Sequence, residues 1–225
     1  MATAMLARLA PIRNWIFDLD NTLYPARTNI AGQMDARITQ YIADLLALDW
    51  AAARTLQKQF FHEKGTTLAG LIAHHGVDPH HYLEFVHDLE MDVLEHDAPL
   101  VAAIARLPGR KLIFTNADAP YATRVLDRLG LSDSFEAIHD IHATNYVPKP
   151  EPQVYRGLCE AYDLDPAESL FVEDMARNLA PAKAIGMTTV WIDNGSEQPP
   201  GGAPDYIDFT ISDLSHWLHE VMEAA

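Results

Sequence analysis

Acidic, hydroxyl, amide and lysine side chains occur in four short clusters, three of which directly follow an apolar run. Phosphoryl transfer needs an oxygen nucleophile, positive charge near the equatorial phosphate oxygens and a proton donor for the leaving group. Carboxylates, a hydroxyl and one lysine supply all three, so the clusters predict a site for phosphoryl chemistry. They are, in chain order, Asp18 and Asp20, Thr115 and Asn116, Lys149, and Glu173 and Asp174.

The carboxylates of this set also predict a metal. Acidic ligands without an accompanying His or Cys favour a hard, oxygen-preferring cation such as Mg²⁺. The cation would offset the repulsion between an anionic nucleophile and an anionic substrate. Lys149 supplies a fixed positive charge, Thr115 supplies a hydroxyl donor, and helix N-terminal amides beyond Asn116 add further donors for phosphate. The candidate metal ligands are Asp18, Asp20, Glu173 and Asp174.

Short apolar runs predict the strands that position these clusters. Continuous apolar runs, unlike alternating ones, are typical of parallel strands that are buried on both faces. Helical patterns lie between them, such as 120–129, which Gly130 ends. Strands that alternate with helices predict an α/β fold with a doubly wound, Rossmann-like parallel sheet, which binds ligands at the carboxyl ends of its strands. The runs are 15–17, 111–114, 169–172 and 188–192, with weaker ones at 137–141 and 206–210.

The segment from about residue 30 to residue 105 has a different pattern and contains no convincing strand. Apolar residues repeat there at helical spacing, first within 34–45 and again within 82–93. We therefore expect an α-helical cap domain that is inserted after the first strand of the core. The predicted division is a cap at 29–104 and a core formed by 1–28 and 105–225, with a long Pro- and Gly-rich surface loop at 194–204.

The charge of the chain excludes two classes of partner. The 225 residues include 32 acidic and 16 basic side chains, which gives a net charge of −16. Sequence-independent binding to nucleic acids relies on lysine and arginine that neutralise phosphates, and docking on anionic membranes relies on the same residues. We expect a small phosphorylated metabolite as the partner, with no nucleic-acid polymer and no membrane.

Cysteine content and apolar stretches predict a cytoplasmic location. Cys159 is the only cysteine, which excludes an intrachain disulfide and a cysteine-based zinc site. No uncharged apolar run approaches the roughly 18–20 residues that span a bilayer. Arg8 and Pro11 interrupt the first 14 residues, so we expect no signal peptide there.

Taken in order, the four clusters resemble a known family. The stretch 18–24 reads Asp-Leu-Asp-Asn-Thr-Leu-Tyr, and it is followed by Thr-Asn at 115–116, Lys-Pro-Glu-Pro at 149–152 and Glu-Asp at 173–174. This series resembles the motifs of the haloacid dehalogenase superfamily of phosphohydrolases over nearly the whole chain. The Asp-Asn-Thr-Leu-Tyr form of the first motif and the stretch 65–71 are similar to the pyrimidine 5′-nucleotidase branch.

The resemblance implies a role for each catalytic residue. Asp18 would attack phosphorus and form an aspartyl-phosphate. Asp20 would protonate the leaving oxygen and then activate the water that hydrolyses the intermediate, help that is typically worth about 10²–10⁴ in rate. Thr115 and Lys149 would hold the phosphoryl group.

The resemblance also implies the Mg²⁺ ligands: Asp18, the backbone carbonyl of Asp20, and Asp174. Glu173 departs from the family pattern, because relatives in this branch often carry two aspartates and a serine in the fourth motif. Glu173 keeps the negative charge, and it is either a direct metal ligand or a neighbour of one.

The expected activity is Mg²⁺-dependent hydrolysis of a small phosphate monoester, a nucleoside 5′-monophosphate in the first place. A sugar-phosphate or phosphoglycolate phosphatase has the same core and is the alternative. A dehalogenase is disfavoured because Asp20 would have no leaving alkoxide to protonate. In the cap, Lys64, Thr66 and Thr67 form a loop that either reaches the substrate or is an ordinary helix start.

Two alternative functions from other classes of protein remain. A phosphoaspartate receiver also combines Asp, Thr and Lys at strand ends, but its phosphorylated Asp follows a middle strand and no cap covers it. A non-catalytic nucleotide-binding regulator would keep the phosphate clamp and lose the nucleophile or the acid, whereas Asp18 and Asp20 are both present. Taken singly, each cluster also has an ordinary structural interpretation, as a turn, a helix N-cap or a solvated lysine.

Overall fold

The structure, a computed structural model, describes residues 7–195 and 204–224. Within them, one fully parallel sheet has the strand order β3-β2-β1-β4-β5-β6. This arrangement confirms the predicted doubly wound α/β fold. The strands are β1 (Asn14–Phe17), β2 (Arg110–Phe114), β3 (Ala137–His139), β4 (Ser169–Glu173), β5 (Thr188–Ile192) and β6 (Phe209–Ile211).

Helices flank this sheet and fill the segment between β1 and β2. They are α1 (Ile30–Leu46), α2 (Trp50–Lys64), α3 (Thr67–His75), α4 (Pro79–Val86), α5 (Ala98–Arg106), α6 (Ala119–Leu129), α7 (Pro152–Tyr162), α8 (Ala176–Ala184) and α9 (Leu214–Ala224).

Strand β1 lies in the middle of the sheet and is buried along its whole length. Trp15 and Phe17 pack in the apolar layer on one face, and Ile16 packs in the layer on the other. A strand covered on both faces requires a continuous apolar run, which is the pattern that predicted it.

Several strand ends differ from the prediction: β1 and β2 each begin one residue earlier, and β6 ends one residue later. The strand β3 stops two residues early because the Asp140 carboxylate accepts hydrogen bonds from the backbone N–H groups of Ala119 and Ala143. The strand β4 continues one residue further, so Glu173 is itself the last strand residue. The strand β6 begins after the predicted start, because Ile207 N donates to Pro204 O and closes a turn there.

The helices α1–α4 surround an apolar cluster of their own, to which Ile141 and the partly buried Tyr146 are added from the segment after β3. Helix α5 begins within the predicted cap range of 29–104 and ends two residues beyond it, but it packs against α9. Its Leu100, Ala103 and Ile104 lie in the apolar layer beside the sheet. The four helices α1–α4 are called the helical insertion below.

Residues 1–6 and 196–203 lie outside the described residues, and the predictions for the start of the chain and for most of the loop at 194–204 fall there. In the ranges that are described, no helix combines the length and the apolar character that crossing a membrane requires.

Candidate active site

The carboxyl ends of three adjacent strands bring the predicted residues together. Asp18 follows β1, Thr115 follows β2, and Glu173 and Asp174 stand at the end of β4. Lys149 comes from the loop before α7 and reaches the same point. The five side chains are at most 6% exposed as residues and line one cavity.

Lys149 holds the centre of the site. Its Nζ atom lies 2.7 Å from Oδ1 of Asp18, 2.7 Å from Oε2 of Glu173 and 2.9 Å from the carbonyl oxygen of Phe114. Although burial alone would lower it, the negative charges of Asp18 and Glu173 raise the pKa of Lys149 above its usual value. The lysine is therefore a permanent cation between two carboxylates.

Asp18 is held through both of its oxygens. Oδ1 accepts a hydrogen bond from Lys149, and Oδ2 accepts one from Thr22 Oγ1 at 3.0 Å. Burial and the charge of Glu173 raise the pKa of Asp18 to about 7, against the lowering effect of Lys149. The side chain is thus fixed in orientation and carries a charge that is costly without a further cation.

Asp20 is bound by two tyrosines and not by the lysine. Its Oδ1 accepts hydrogen bonds from Tyr24 Oη at 2.5 Å and from Tyr121 Oη at 2.6 Å. Burial, followed by the charge of Asp20, raises the pKa of both tyrosines well above its usual value. Both hydroxyls therefore remain protonated donors. The motif stretch 18–24 contains Tyr24, but sequence reasoning gave Tyr121 no role at the site.

Thr115 and Asn116 are placed as predicted at the end of β2, yet their side chains bond within the protein. Thr115 Oγ1 accepts a hydrogen bond from Ala117 N at 3.0 Å. The Asn116 side-chain amide donates to Lys149 O at 3.3 Å and accepts from Lys149 N at 2.8 Å. Asn116 therefore braces the loop that carries the central lysine.

Three carboxylates can hold a cation together. One oxygen from each of Asp18, Glu173 and Asp174 lies within 4.8 Å of the others, and all three residues are buried. Backbone contacts fix the last two, since Trp191 Nε1 donates to Asp174 O at 2.8 Å and Met175 N donates to Glu173 Oε1 at 3.1 Å.

The chemistry of this donor set fits Mg²⁺. All of its ligand atoms are oxygens, and Lys149 places one positive charge beside two of them, on Asp18 and Glu173. Asn178 lines the same cavity, and its buried Oδ1 has no hydrogen-bond partner in the described chain. A hydrated cation would add positive charge beside the three carboxylates and supply a donor for that oxygen.

The cavity at these strand ends has a volume of about 300 Å³ and is covered by the helical insertion. Its floor is polar and its walls are largely apolar. The apolar wall residues contributed by the insertion are Ala31, Met34, Ile38, Phe61, Leu68, Leu83 and Val86, with Tyr82 beside them.

The loop between α2 and α3 closes one side of the cavity. Thr66 and Thr67 line it, whereas Lys64 is exposed and does not. The threonine hydroxyls bond locally: Thr66 Oγ1 accepts from Ala69 N as the helix N-cap, and Thr67 Oγ1 donates to Gln57 O. Both threonine hydroxyls thus have partners within the insertion itself.

Comparison with known proteins adds the family context. The chain is 27% identical to Phosphate metabolism protein 8 of Saccharomyces cerevisiae over 77% of its length, and it spans 59% of that protein. It is 25% identical to the glyceraldehyde 3-phosphate phosphatase of Pyrococcus furiosus, over 92% of this chain and 91% of that one. Among solved structures, the HAD phosphatase of Thermococcus onnurineus matches 94% of this chain and 97% of its own, with a TM-score of 0.61 at 20% identity.

A family model matches residues 12–186, which include all four clusters and the helical insertion. The convergence of buried acids around one lysine, at the ends of parallel strands, agrees with that match. The chain belongs to the haloacid dehalogenase-like hydrolases.

Proposed function

We propose that the protein is a Mg²⁺-dependent phosphomonoesterase that hydrolyses a small phosphate ester through an aspartyl-phosphate on Asp18. The observation that carries the proposal is that two neighbouring carboxylates, Asp18 and Asp20, have different hydrogen-bond partners. Asp18 is fixed by Lys149 and Thr22, while Asp20 is bound by tyrosine hydroxyls at the same cavity. Two acids in two environments are suited to two roles, one as nucleophile and one as general acid and base.

In the first step, a carboxylate oxygen of Asp18 forms a bond to phosphorus while the bond from phosphorus to the leaving oxygen breaks. Asp20 gives its proton to that oxygen. In the second step, the Asp20 carboxylate takes a proton from water, and the hydroxide so formed attacks phosphorus as the bond from phosphorus to the Asp18 oxygen breaks. Inorganic phosphate leaves, and the Asp18 carboxylate is regenerated. Lys149 keeps the nucleophile oriented, and Thr115 lies beside the position of the phosphoryl group.

Mg²⁺ would be held by Asp18, Asp174 and the backbone carbonyl of Asp20, with Glu173 as a direct ligand or as a neighbour that also binds Lys149. When bound, it supplies positive charge to the phosphoryl oxygens. Glu173 shares its carboxylate between Lys149 and Met175 N, which favours the second of these two positions for Glu173.

For the substrate, we propose a nucleoside 5′-monophosphate, as in a pyrimidine 5′-nucleotidase. The apolar walls that the insertion contributes favour a leaving group with a flat or apolar part. The second candidate is a sugar-phosphate or phosphoglycolate phosphatase. It is favoured by the match to the Pyrococcus furiosus phosphatase, which extends over nearly the full length of both chains. A cytoplasmic location agrees with either substrate.

We further propose that the helical insertion, within the predicted range 29–104, acts as a cap that admits small esters and excludes phosphoproteins. Its own apolar cluster and its position over the cavity support this role. A phosphoaspartate receiver lacks such a cover, and a non-catalytic regulator has no need of both Asp18 and Asp20.

The test is phosphate release from a panel of nucleoside monophosphates and sugar phosphates, with Mg²⁺ and with a chelator. We expect release with Mg²⁺ only. Asp18→Asn abolishes it while the protein stays folded by circular dichroism, and Asp133→Asn, at an exposed aspartate, leaves it unchanged. Turnover by the Asp18→Asn protein would refute the mechanism. An inert panel would refute the substrate class.

A further inference from the structure

The candidate general acid is bound through one oxygen only. Tyr24 and Tyr121 both donate to Oδ1 of Asp20, and the two hydroxyl oxygens lie 3.2 Å from each other. No described residue forms a hydrogen bond with Oδ2 of Asp20. Because Asp20 also lines the cavity, Oδ2 is the oxygen left for a substrate.

Contacts from the helical insertion hold Tyr121 itself. The ring of His87, the C-cap residue directly after α4, stacks on the Tyr121 ring with centroids 4.4 Å apart and planes 20° apart. His87 Nδ1 lies 2.9 Å from Oδ1 of Asp118, the N-cap residue of α6, which also accepts from Tyr121 N. The insertion therefore contacts the tyrosine that bonds to Asp20.

A second residue of α6 holds the same segment. Arg124 donates to the carbonyl oxygens of His87 and Leu89, both at 3.0 Å. The first turns of α6 thus bind the chain where it leaves the insertion and also bind Asp20.

We propose that Tyr121 and Tyr24 are positioning residues that orient Asp20 for proton transfer to the leaving group, and that His87 couples this orientation to the seating of the helical insertion. The inference rests on the proposed function. During the first step, the proton leaves Oδ2 of Asp20 for the leaving oxygen as its bond to phosphorus breaks. The two hydroxyls then stabilise the negative charge that remains on the carboxylate.

This role predicts a dependence on the leaving group. An alkoxide must be protonated as it leaves, whereas p-nitrophenolate is stable without a proton. The parameter to compare is kcat/KM, because it covers only the steps up to formation of the aspartyl-phosphate. The probes are uridine 5′-monophosphate and ribose 5-phosphate as alkyl esters and p-nitrophenyl phosphate as the activated ester.

We expect Tyr121→Phe and Tyr24→Phe each to lower kcat/KM about 10- to 100-fold for the alkyl esters and no more than about threefold for p-nitrophenyl phosphate. Asp20→Asn should show the largest difference between the losses of kcat/KM for the two ester classes, because it removes the proton donor itself. Its loss is the reference for the tyrosine variants. His87→Ala reproduces part of the Tyr121→Phe selectivity. Tyr41→Phe is the matched control, because it removes the hydroxyl of a buried tyrosine that is hydrogen-bonded to His81 and does not line the cavity.

Equal losses on both ester classes, or no loss, would overturn the positioning role of the tyrosines. If His87→Ala changes kcat/KM equally for both ester classes, the proposed coupling to the insertion is overturned. Thermal melts show whether each variant folds. If Tyr121→Phe or Tyr24→Phe does not fold, the other variant tests the positioning role. Failure of the proposed function is distinguishable, since the unmodified protein would then release no phosphate from either ester class.

Discussion

The Nζ atom of Lys149 lies 2.7 Å from Oδ1 of Asp18 in a part of the protein where the lysine is 2% exposed and the aspartate 6%. Glu173 lies at the same distance on another side of the ammonium group. Two buried carboxylates thus share one cation, so we expect the stability of the strand ends to depend on Lys149.

Lys149→Met is expected to lower the free energy of unfolding by about 3–5 kcal/mol at pH 8, because two buried carboxylates lose their counter-charge. Urea denaturation measures the loss. Lys58→Met, at an exposed lysine of α2, is the control and is expected to change it by less than about 0.5 kcal/mol. A Lys149→Met protein as stable as the control would show that the pair contributes little to the fold.

Mg²⁺ binding is expected to weaken as the pH falls below about 7. Burial raises the pKa of Asp18 to about 7 in the protein without metal, so below that pH a proton occupies an oxygen that the cation needs. The apparent affinity should fall about tenfold for each pH unit below 7 and level off above it, as one displaced proton requires. Isothermal titration calorimetry measures this. Asp18→Asn should bind more weakly and lose most of the pH dependence.

Gly65→Ala is expected to lower kcat/KM by more than its loss of folding stability explains. Gly65 has φ +81°, and an added Cβ would lie 3.2 Å from Cγ of Pro148, next to the central lysine. Gly76→Ala is the matched control, because Gly76 has φ +61° with open space around it. Gly76→Ala should lose about 1 kcal/mol from backbone strain, and Gly65→Ala should lose more, because its ψ of −32° lies outside the left-handed helical region that Gly76 occupies. Only Gly65→Ala should also lower kcat/KM, and equal kinetics in the two variants would contradict a role for this contact.

Met34→Gln tests the apolar wall. Met34 is half-buried on α1 and lines the cavity, and glutamine keeps its length while adding polar atoms. We expect KM for a nucleoside monophosphate to rise about 5- to 20-fold, with a smaller change for ribose 5-phosphate, since the lost contact is apolar. Met222→Gln, on α9 away from the cavity, controls for the substitution itself. An equal rise in KM for both substrates would favour a sugar-phosphate enzyme.

The strands and the strand-end clusters could be predicted because a strand buried on both faces leaves a continuous apolar run in the sequence. Trp15, Ile16 and Phe17 are such a run, and the next polar residue, Asp18, must then emerge at the end of the sheet. The end of β3 could not be predicted, because it depends on which N–H groups the Asp140 carboxylate meets after folding.

The hydrogen bonds from the two tyrosines to Asp20 also could not be predicted from the sequence. Tyr121 stands on the buried face of α6 and fits the spacing of a core residue, so its pattern does not reveal a hydroxyl that reaches a carboxylate 101 residues earlier. Asn116 illustrates the opposite case. Its place after a strand was correct, but the partners of its amide, the backbone groups of Lys149, depend on how a distant loop folds back.

The pairing of β1 has a consequence for how the chain is made. This strand leaves the ribosome first among those of the sheet, yet its two neighbours are β2 and β4, and the N–H of Asp18 bonds to the carbonyl oxygen of Val172. Contacts between such distant residues are slow to form. In a nascent chain, Asp18 is therefore synthesised long before the strands that orient its side chain. The site at the strand ends can form only after β4, the fourth strand, has been synthesised.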